Sequence, residues 1–257
     1  MSIFQHFRDE EKPFVEQVLS WKEEVGLMHQ ERRTDFLDPR EQDILKIVIG
    51  HDEDVAYQFF GGSPTSERKR AYLCPPYLEI APSKFELTLF SIEYPAKFIT
   101  LTHSDVLGSL MNVGLKREKF GDIVVGDDFV QIVVASEIAD FVELNVMKIG
   151  KASVQLKPIS FSNLKKSLDH WTDETATVSS LRLDVIISEI YHLSRAKVKP
   201  YIERGLVKVN WRVTDQVSFL VNDGDYISVR GHGRSKIVSL EGRTKKDKIR
   251  LRYGRLM

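Results

Sequence analysis

Apolar residues recur at helical spacing near the start of the chain and in short β-type runs further along it. Pro13 is followed by Phe14, Val18, Leu19 and Val25 at helical spacing, with Gly26 as a stop, which predicts a first helix. Asp38-Pro39 joins a capping carboxylate to a proline in the first helical position. It opens a second helix that carries Ile44, Leu45, Val48 and Ile49 to Gly50. Val55–Phe60 reads as a strand ended by the turn Gly61-Gly62-Ser63-Pro64, and Cys74-Pro75-Pro76 closes a first α/β domain, 1–76.

The next stretch alternates element types. Phe85–Glu93 reads as a strand and Thr102–Val113 as a helix with Val106, Leu107, Leu110 and Met111 on its apolar side. Asp122–Val125 and Phe129–Ala135 are short strands joined at Gly126-Asp127-Asp128, a hairpin signal. Ser136 is placed to cap a helix whose core face is Ile138, Phe141, Val142 and Val146, and Lys151–Ile159 supplies a last strand. The order β-α-β-β-α-β predicts a split βαβ, ferredoxin-like domain over 77–160. Residues 161–180 are polar without a sustained period and read as a linker. The fold class expected for the whole chain is α+β in three small domains.

Beyond the linker, in a domain spanning 181–257, Leu181–Glu189 and Ser194–Arg204 read as two short helices joined by Tyr191-His192-Leu193. Ser194 is a cap at the start of the second helix, and Gly205 is the stop after it. Pro200 implies a kink or irregular first turns. Leu206–Asn210, Val217–Val221, Tyr226–Arg230, Arg234–Leu240 and Ile249–Tyr253 form extended segments, with turns at Asn222-Asp223-Gly224-Asp225 and Gly231-His232-Gly233-Arg234.

Charge sharpens this picture. The chain has 257 residues and no formal net charge. Yet from Ser180 onward seventeen lysines and arginines face eight acids, an excess of nine cations, and the preceding residues carry an equal anionic excess. Such asymmetry points to a polyanion at the C-terminal end. Arg195, Lys197 and Lys199 crowd the start of the second helix, against its dipole, which is unfavourable unless an anion lies there. Phosphate is the expected anion, and Arg195 is the first residue expected to hold it. On this reading Arg195→Ala weakens binding without moving thermal stability. The longest apolar runs are too short for a membrane span, and the first residues lack a signal pattern, so a cytoplasmic protein is expected. One cysteine, Cys74, leaves no disulfide framework and no multi-cysteine zinc site.

Arg182-Leu183-Asp184, Ser194-Arg195, Gly205, Val207, Val209-Asn210, Gly224-Asp225, Ile227 and Val229 resemble, over about fifty residues, the RNA-binding domain named after ribosomal small-subunit protein S-four. The resemblance implies that a helix pair and an adjoining β-loop meet RNA. By position it implies contacts from Arg182, Ser194, Arg195, Lys197, Lys199 and Lys208, with Asp184 orienting its neighbours. Arg234, the cation at the tip of the glycine-rich bend, joins these candidates. Trp211 stands where that family usually has glycine, so the shape of this turn departs from the pattern.

Phe59-Phe60-Gly61-Gly62 with Glu67-Arg68, Leu101–Gly108 and Gly114–Asp122 resemble the YlmH-type proteins of Gram-positive bacteria. That resemblance implies binding to rRNA and tRNA on large ribosomal subunits that are obstructed with peptidyl-tRNA, in ribosome-associated quality control. A monomer acting without membrane or cofactor, beside other quality-control factors, is expected. The resemblance also implies a genetic neighbourhood of cell-division genes.

Other clusters carry less. His103 with Asp105 reads as a capping arrangement rather than a catalytic or metal pair, and His51–Asp54 as a solvated acidic loop. Lys116, Arg117 and Lys119, bracketed by Gly114 and Gly121, are a second candidate phosphate contact. Phe129–Ala135 lacks the spaced aromatics of sheet-type RNA domains. No catalytic or metal residue is assigned. The competing classes are a cell-division interaction protein with secondary RNA binding and an RNA-modification enzyme. Against the latter, the Arg-Leu-Asp at 182–184 lies inside the basic module, and no glycine-rich loop for a methyl donor precedes it.

Overall fold

The structure, a computed structural model, describes residues 3–165, 171–244 and 246–256. It divides into two compact units, 1–168 and 169–257.

In the first unit, α1 (Lys12–Met28), β1 (Arg32–Leu37), α2 (Pro39–Ile49), β2 (Ala56–Phe60) and β3 (Lys69–Cys74) form a three-stranded sheet of order β1-β3-β2 with two helices. Asp38 caps α2 in a reciprocal box with Glu41. Val15, Val18, Val25, Ile44, Leu45 and Leu73 close the core between helices and sheet. Strands β1 and β3 were not predicted. Their sequences, Arg-Arg-Thr-Asp-Phe-Leu and Lys-Arg-Ala-Tyr-Leu-Cys, open on charges, of which Arg32 pairs with Glu24, Arg33 with Glu86 and Arg70 with Glu137.

The same unit continues with β4 (Leu87–Glu93), α3 (His103–Asn112), β5 (Phe120–Val125), β6 (Val130–Ala135), α4 (Ala139–Asn145), the two-residue strands β7 (Lys148–Ile149) and β8 (Ala152–Ser153), and β9 (Gln155–Ile159). The antiparallel sheet order β5-β6-β4-β9 is the split βαβ arrangement read from the sequence. Thr102 caps α3 and Asp105 returns the bond, so His103-Ser104-Asp105 opens a helix. Ser136 does not cap α4. Its hydroxyl meets Thr88 at 2.9 Å, Ser136–Ile138 forms a 3-10 turn, and Phe141 is 44 % exposed instead of facing the core.

Residues 1–76 and 77–160 therefore do not stand as separate bodies. Arg70, only 3 % exposed, holds the Glu137 carboxylate with both Nη atoms, at 3.0 and 3.1 Å, and its Nε donates to the Thr34 carbonyl. The Asp122 carboxylate accepts from the backbone amides of Glu67 and Arg68 at 2.7 and 3.0 Å. Phe36 of β1 packs with Leu89, Val133 and Ala135 of the other sheet, and a Cβ on Gly121 would lie 2.7 Å from its ring. Buried charge survives only when paired this completely.

The second unit contains β10 (Glu174–Val178), α5 (Leu183–Ile190), α6 (Arg195–Glu203), β11 (Val207–Val209), β12 (Arg212–Val213), β13 (Tyr226–Val229), β14 (Gly233–Arg243) and β15 (Ile249–Arg255). The six-stranded sheet runs β10-β15-β14-β13-β11-β12. One face is covered by the helix pair through Leu183, Ile186, Ile187, Ile190, Val198 and Ile202, all at 0 % exposure.

The expected linker is corrected here. Phe161–Asn163 forms a 3-10 turn, and Phe161 and Leu164 pack on the first unit, while Glu174–Val178 is an edge strand paired with β15. Residues 166–170, also within the expected linker, lie outside the described residues. Pro200 sits inside α6 without ending it.

Candidate nucleic-acid interface

The N-termini of α5 and α6 meet around one carboxylate. Asp184, in the first turn of α5, has a side chain only 4 % exposed. Arg182 donates to it from Nε at 3.0 Å, and Arg195 from Nε at 2.9 Å and Nη2 at 2.5 Å. Burial pushes the Asp184 carboxyl up, but the hydrogen bonds from the two arginines outweigh it and hold the group below the usual aspartate range.

The anion that the crowded start of α6 requires is thus supplied first by Asp184. Both guanidiniums direct their Nε edges inward, which leaves the Nη1 ends with N–H donors for an incoming oxyanion. Arg195 remains 59 % exposed and Arg182 39 %. With Ala196, Lys199, Glu203 and Val217 these three residues line a groove of about 500 Å³.

Ser194 caps α6, its hydroxyl accepting from the Lys197 amide at 3.4 Å, and so serves the helix end. Arg195 and Lys199 are four residues apart and share a helix face, whereas Lys197 projects from another side. Lys199 lies 3.5 Å from Glu203. Lys208 and Arg234 fall elsewhere again. Val207 and Val209 enter the core, so the exposed Lys208 between them points from the opposite face of the sheet, across Ser228 from Arg234. The candidates therefore divide between a helix groove (Arg182, Arg195 and Lys199) and an outer sheet face (Lys208 and Arg234).

The hairpin β11–β12 shows what its motif residues do. Asn210 and Trp211 form a two-residue turn with φ of +49° and +63°. The Asn210 side chain donates to Asp225 at 2.8 Å and accepts from the Tyr226 amide at 2.9 Å, while Asp225 also accepts from the Asn222 amide. Val-Asn and Gly-Asp thus fasten two turns to each other.

At the 116–119 cluster two of the three cations have partners inside the fold. Arg117 donates to the carbonyls of Phe120 and Gly121 at 2.6 and 3.1 Å and lies 4.5 Å over the Phe120 ring. Desolvation, with Arg68 nearby, brings its pKa down to about 10. Lys119 is held 2.7 Å from Asp35 and 3.7 Å from Glu137. Both cations are engaged within the fold, and Gly121 leaves room for the Phe36 ring. Lys116, 78 % exposed, keeps only a loose 3.9 Å approach to Glu118. No group of three His, Cys, Asp or Glu side chains suited to a metal ion occurs among the described residues. Cys74 is buried, and burial raises its thiol pKa.

A helix pair with exposed guanidiniums fixed on a buried carboxylate, over a small antiparallel sheet, defines an RNA-binding module of the kind read from the sequence. Residues 181–227 match the family described as "S4 domain", and residues 81–163 match "Putative RNA-binding domain in YlmH". The chain is 45% identical over 253 residues to "Ribosome-associated protein quality control protein P2" of Bacillus subtilis (strain 168), covering 98% of each protein. It also resembles the solved structure "Cell division protein ylmH from Streptococcus pneumoniae" at 32% identity and a TM-score of 0.53, covering 63% of this chain and 98% of that one. The chain belongs to the YlmH family of RNA-binding-domain proteins.

Proposed function

We propose that this protein is a non-enzymatic factor that binds rRNA and tRNA on the large ribosomal subunit, on obstructed subunits that still hold peptidyl-tRNA, in ribosome-associated quality control. It works in the cytoplasm as a monomer, beside other quality-control factors and without membrane or cofactor. The observation that carries this reading is the Arg182–Asp184–Arg195 arrangement, which preorganises two guanidiniums toward one groove. Fixed, bidentate-capable donors suit phosphate oxygens, and a preset geometry strengthens the grip. Lys199 adds charge to the same groove, and the name of the Bacillus subtilis relative supports the ribosomal setting.

The test is co-sedimentation of the full chain with purified large subunits carrying or lacking peptidyl-tRNA. Stronger retention on the loaded subunits is expected, and no retention on either would refute the reading. A second reading, a cell-division interaction protein with secondary RNA binding, takes its support from the name of the Streptococcus pneumoniae relative. Partners recovered from lysate that persist after ribonuclease treatment would favour it.

A further inference from the structure

The outer face of the second unit's sheet carries a row of aromatic rings interleaved with cations. Tyr226 and Lys236 stand directly opposite each other on β13 and β14, and Lys236 is opposite Gly254 on β15. Trp171 bridges to Leu256 in the same outward register and lies against Gly254. A Cβ there would come within 3.4 Å of Trp171 and 2.7 Å of the Thr172 carbonyl, so glycine makes room for the indole. The Trp171 ring meets Tyr226 edge-on with centroids 5.9 Å apart, and Trp211 meets Tyr226 at 5.3 Å. Lys236 Nζ sits 4.9 Å over the Tyr226 ring, and the Arg234 guanidinium 5.6 Å over Trp211. All three rings are partly exposed.

Trp211 adds an independent observation. It occupies a left-handed backbone position, φ +63°, in a two-residue turn that favours glycine. A bulky side chain there costs stability without entering the core. Such an outlier is a pointer to function.

We propose that this face is a stacking platform for unpaired RNA bases, with Trp211, Tyr226 and Trp171 receiving base faces and Arg234, Lys236 and Lys208 meeting the phosphates beside them. Aromatic platforms threaded with cations bind single strands because every base has a stackable face, whereas a duplex hides those faces. The site is separate from the helix groove, which grips the backbone. It deepens the RNA-binding reading and rests on it. It also gives the two groups of cations distinct tasks, with paired RNA held at the groove and a neighbouring unpaired segment laid on the sheet.

The experiment titrates the full chain with an unpaired RNA oligonucleotide of about eight nucleotides, within the usual site size, and with a duplex of the same length. Binding and tryptophan fluorescence are read together. Two of the three tryptophans lie on the platform, and Trp21 is buried in the first unit, so unpaired RNA should quench emission and the duplex should not. Trp211→Gly relieves the strained turn, so its melting temperature should equal or exceed the parent's. Its affinity for unpaired RNA should fall about tenfold, the worth of one stacked base, and its affinity for the duplex should hold. Trp211→Phe, which keeps a ring, should recover part of the loss.

Unchanged affinity of Trp211→Gly for unpaired RNA, or equal quenching by the duplex, would overturn the platform while leaving RNA binding at the groove intact. Unchanged RNA affinity with loss of a protein partner from lysate would make the face a protein-docking surface and overturn it equally. Failure of the parent to bind either RNA would overturn the RNA-binding reading itself.

Discussion

Arg195→Ala should weaken RNA binding and stability together, and the two effects can be apportioned. The guanidinium gives Asp184 two hydrogen bonds, and the carboxylate it serves is 4 % exposed. Hydrogen bonds to a charged group contribute about 1.5–3 kcal/mol when they are protected from water. Arg195 itself is 59 % exposed, so screening reduces the loss to about 1–2 kcal/mol. For a unit of this size that corresponds to a fall in melting temperature of about 4–16 °C. The expectation from sequence that stability would not move is therefore withdrawn, because Asp184 is left buried with Arg182 alone. Binding should fall about tenfold or more from loss of the phosphate contact. Arg195→Lys keeps the charge but cannot serve Asp184 and a phosphate in parallel, so it should rescue both properties only in part. Calorimetry of the full chain, run beside co-sedimentation with large subunits below the melting range, measures both quantities. A variant that melts like the parent would refute the Asp184 coupling, and one that binds like the parent would refute the groove as the RNA contact.

Arg117→Ala should separate the two effects, lowering the stability of the first unit by about 2 kcal/mol through lost carbonyl bonds and ring contact while leaving RNA affinity unchanged, as calorimetry and filter binding would show. Gly121→Ala should destabilise the same unit by about 1–3 kcal/mol, because its Cβ meets the Phe36 ring at 2.7 Å. The Asp184 carboxyl is held low in the folded state, so its contribution is present above the ordinary aspartate range and lost as pH falls below it. Acid melts should therefore show a shallower pH dependence for Asp184→Asn than for the parent. If phosphate neutralisation dominates, with about four to six cations engaged, log affinity should fall with log salt at a slope of about −3 to −5. A salt-independent affinity would count against the groove.

How much of this was legible in the sequence depended on how local the signals were. The helix α2 announces itself through Asp38, Pro39 and Gly50, and the split βαβ order through its turns and apolar runs. Strands β1 and β3 were hidden because Arg70, mid-sheet, looks solvated until Glu137, sixty-seven residues away, arrives to pair with it. The edge strand Glu174–Val178 looked like a polar linker. Its alternation of Thr175 and Thr177 with Ala176 and Val178, opposite β15, was the overlooked period-two signal. At the site, the motif identified Arg182, Asp184 and Arg195, but which faces Lys199, Lys197 and Lys208 share is decided by helix and strand geometry. Lys236, Tyr226 and Trp171 were not singled out. The alternation in Gly233-Arg-Ser-Lys-Ile237, which puts Arg234 and Lys236 on one face, was the available signal.

The most direct measurement is ultraviolet crosslinking of the full chain to RNA in cells, followed by sequencing of the RNA and mapping of the crosslinked peptides. The account predicts rRNA of the large subunit together with tRNA, attached to peptides spanning Arg182–Lys199, with the signal lost in a double Arg182→Ala, Arg195→Ala variant that remains folded. Crosslinks confined to the first unit, or an RNA population without large-subunit rRNA and tRNA, would contradict it.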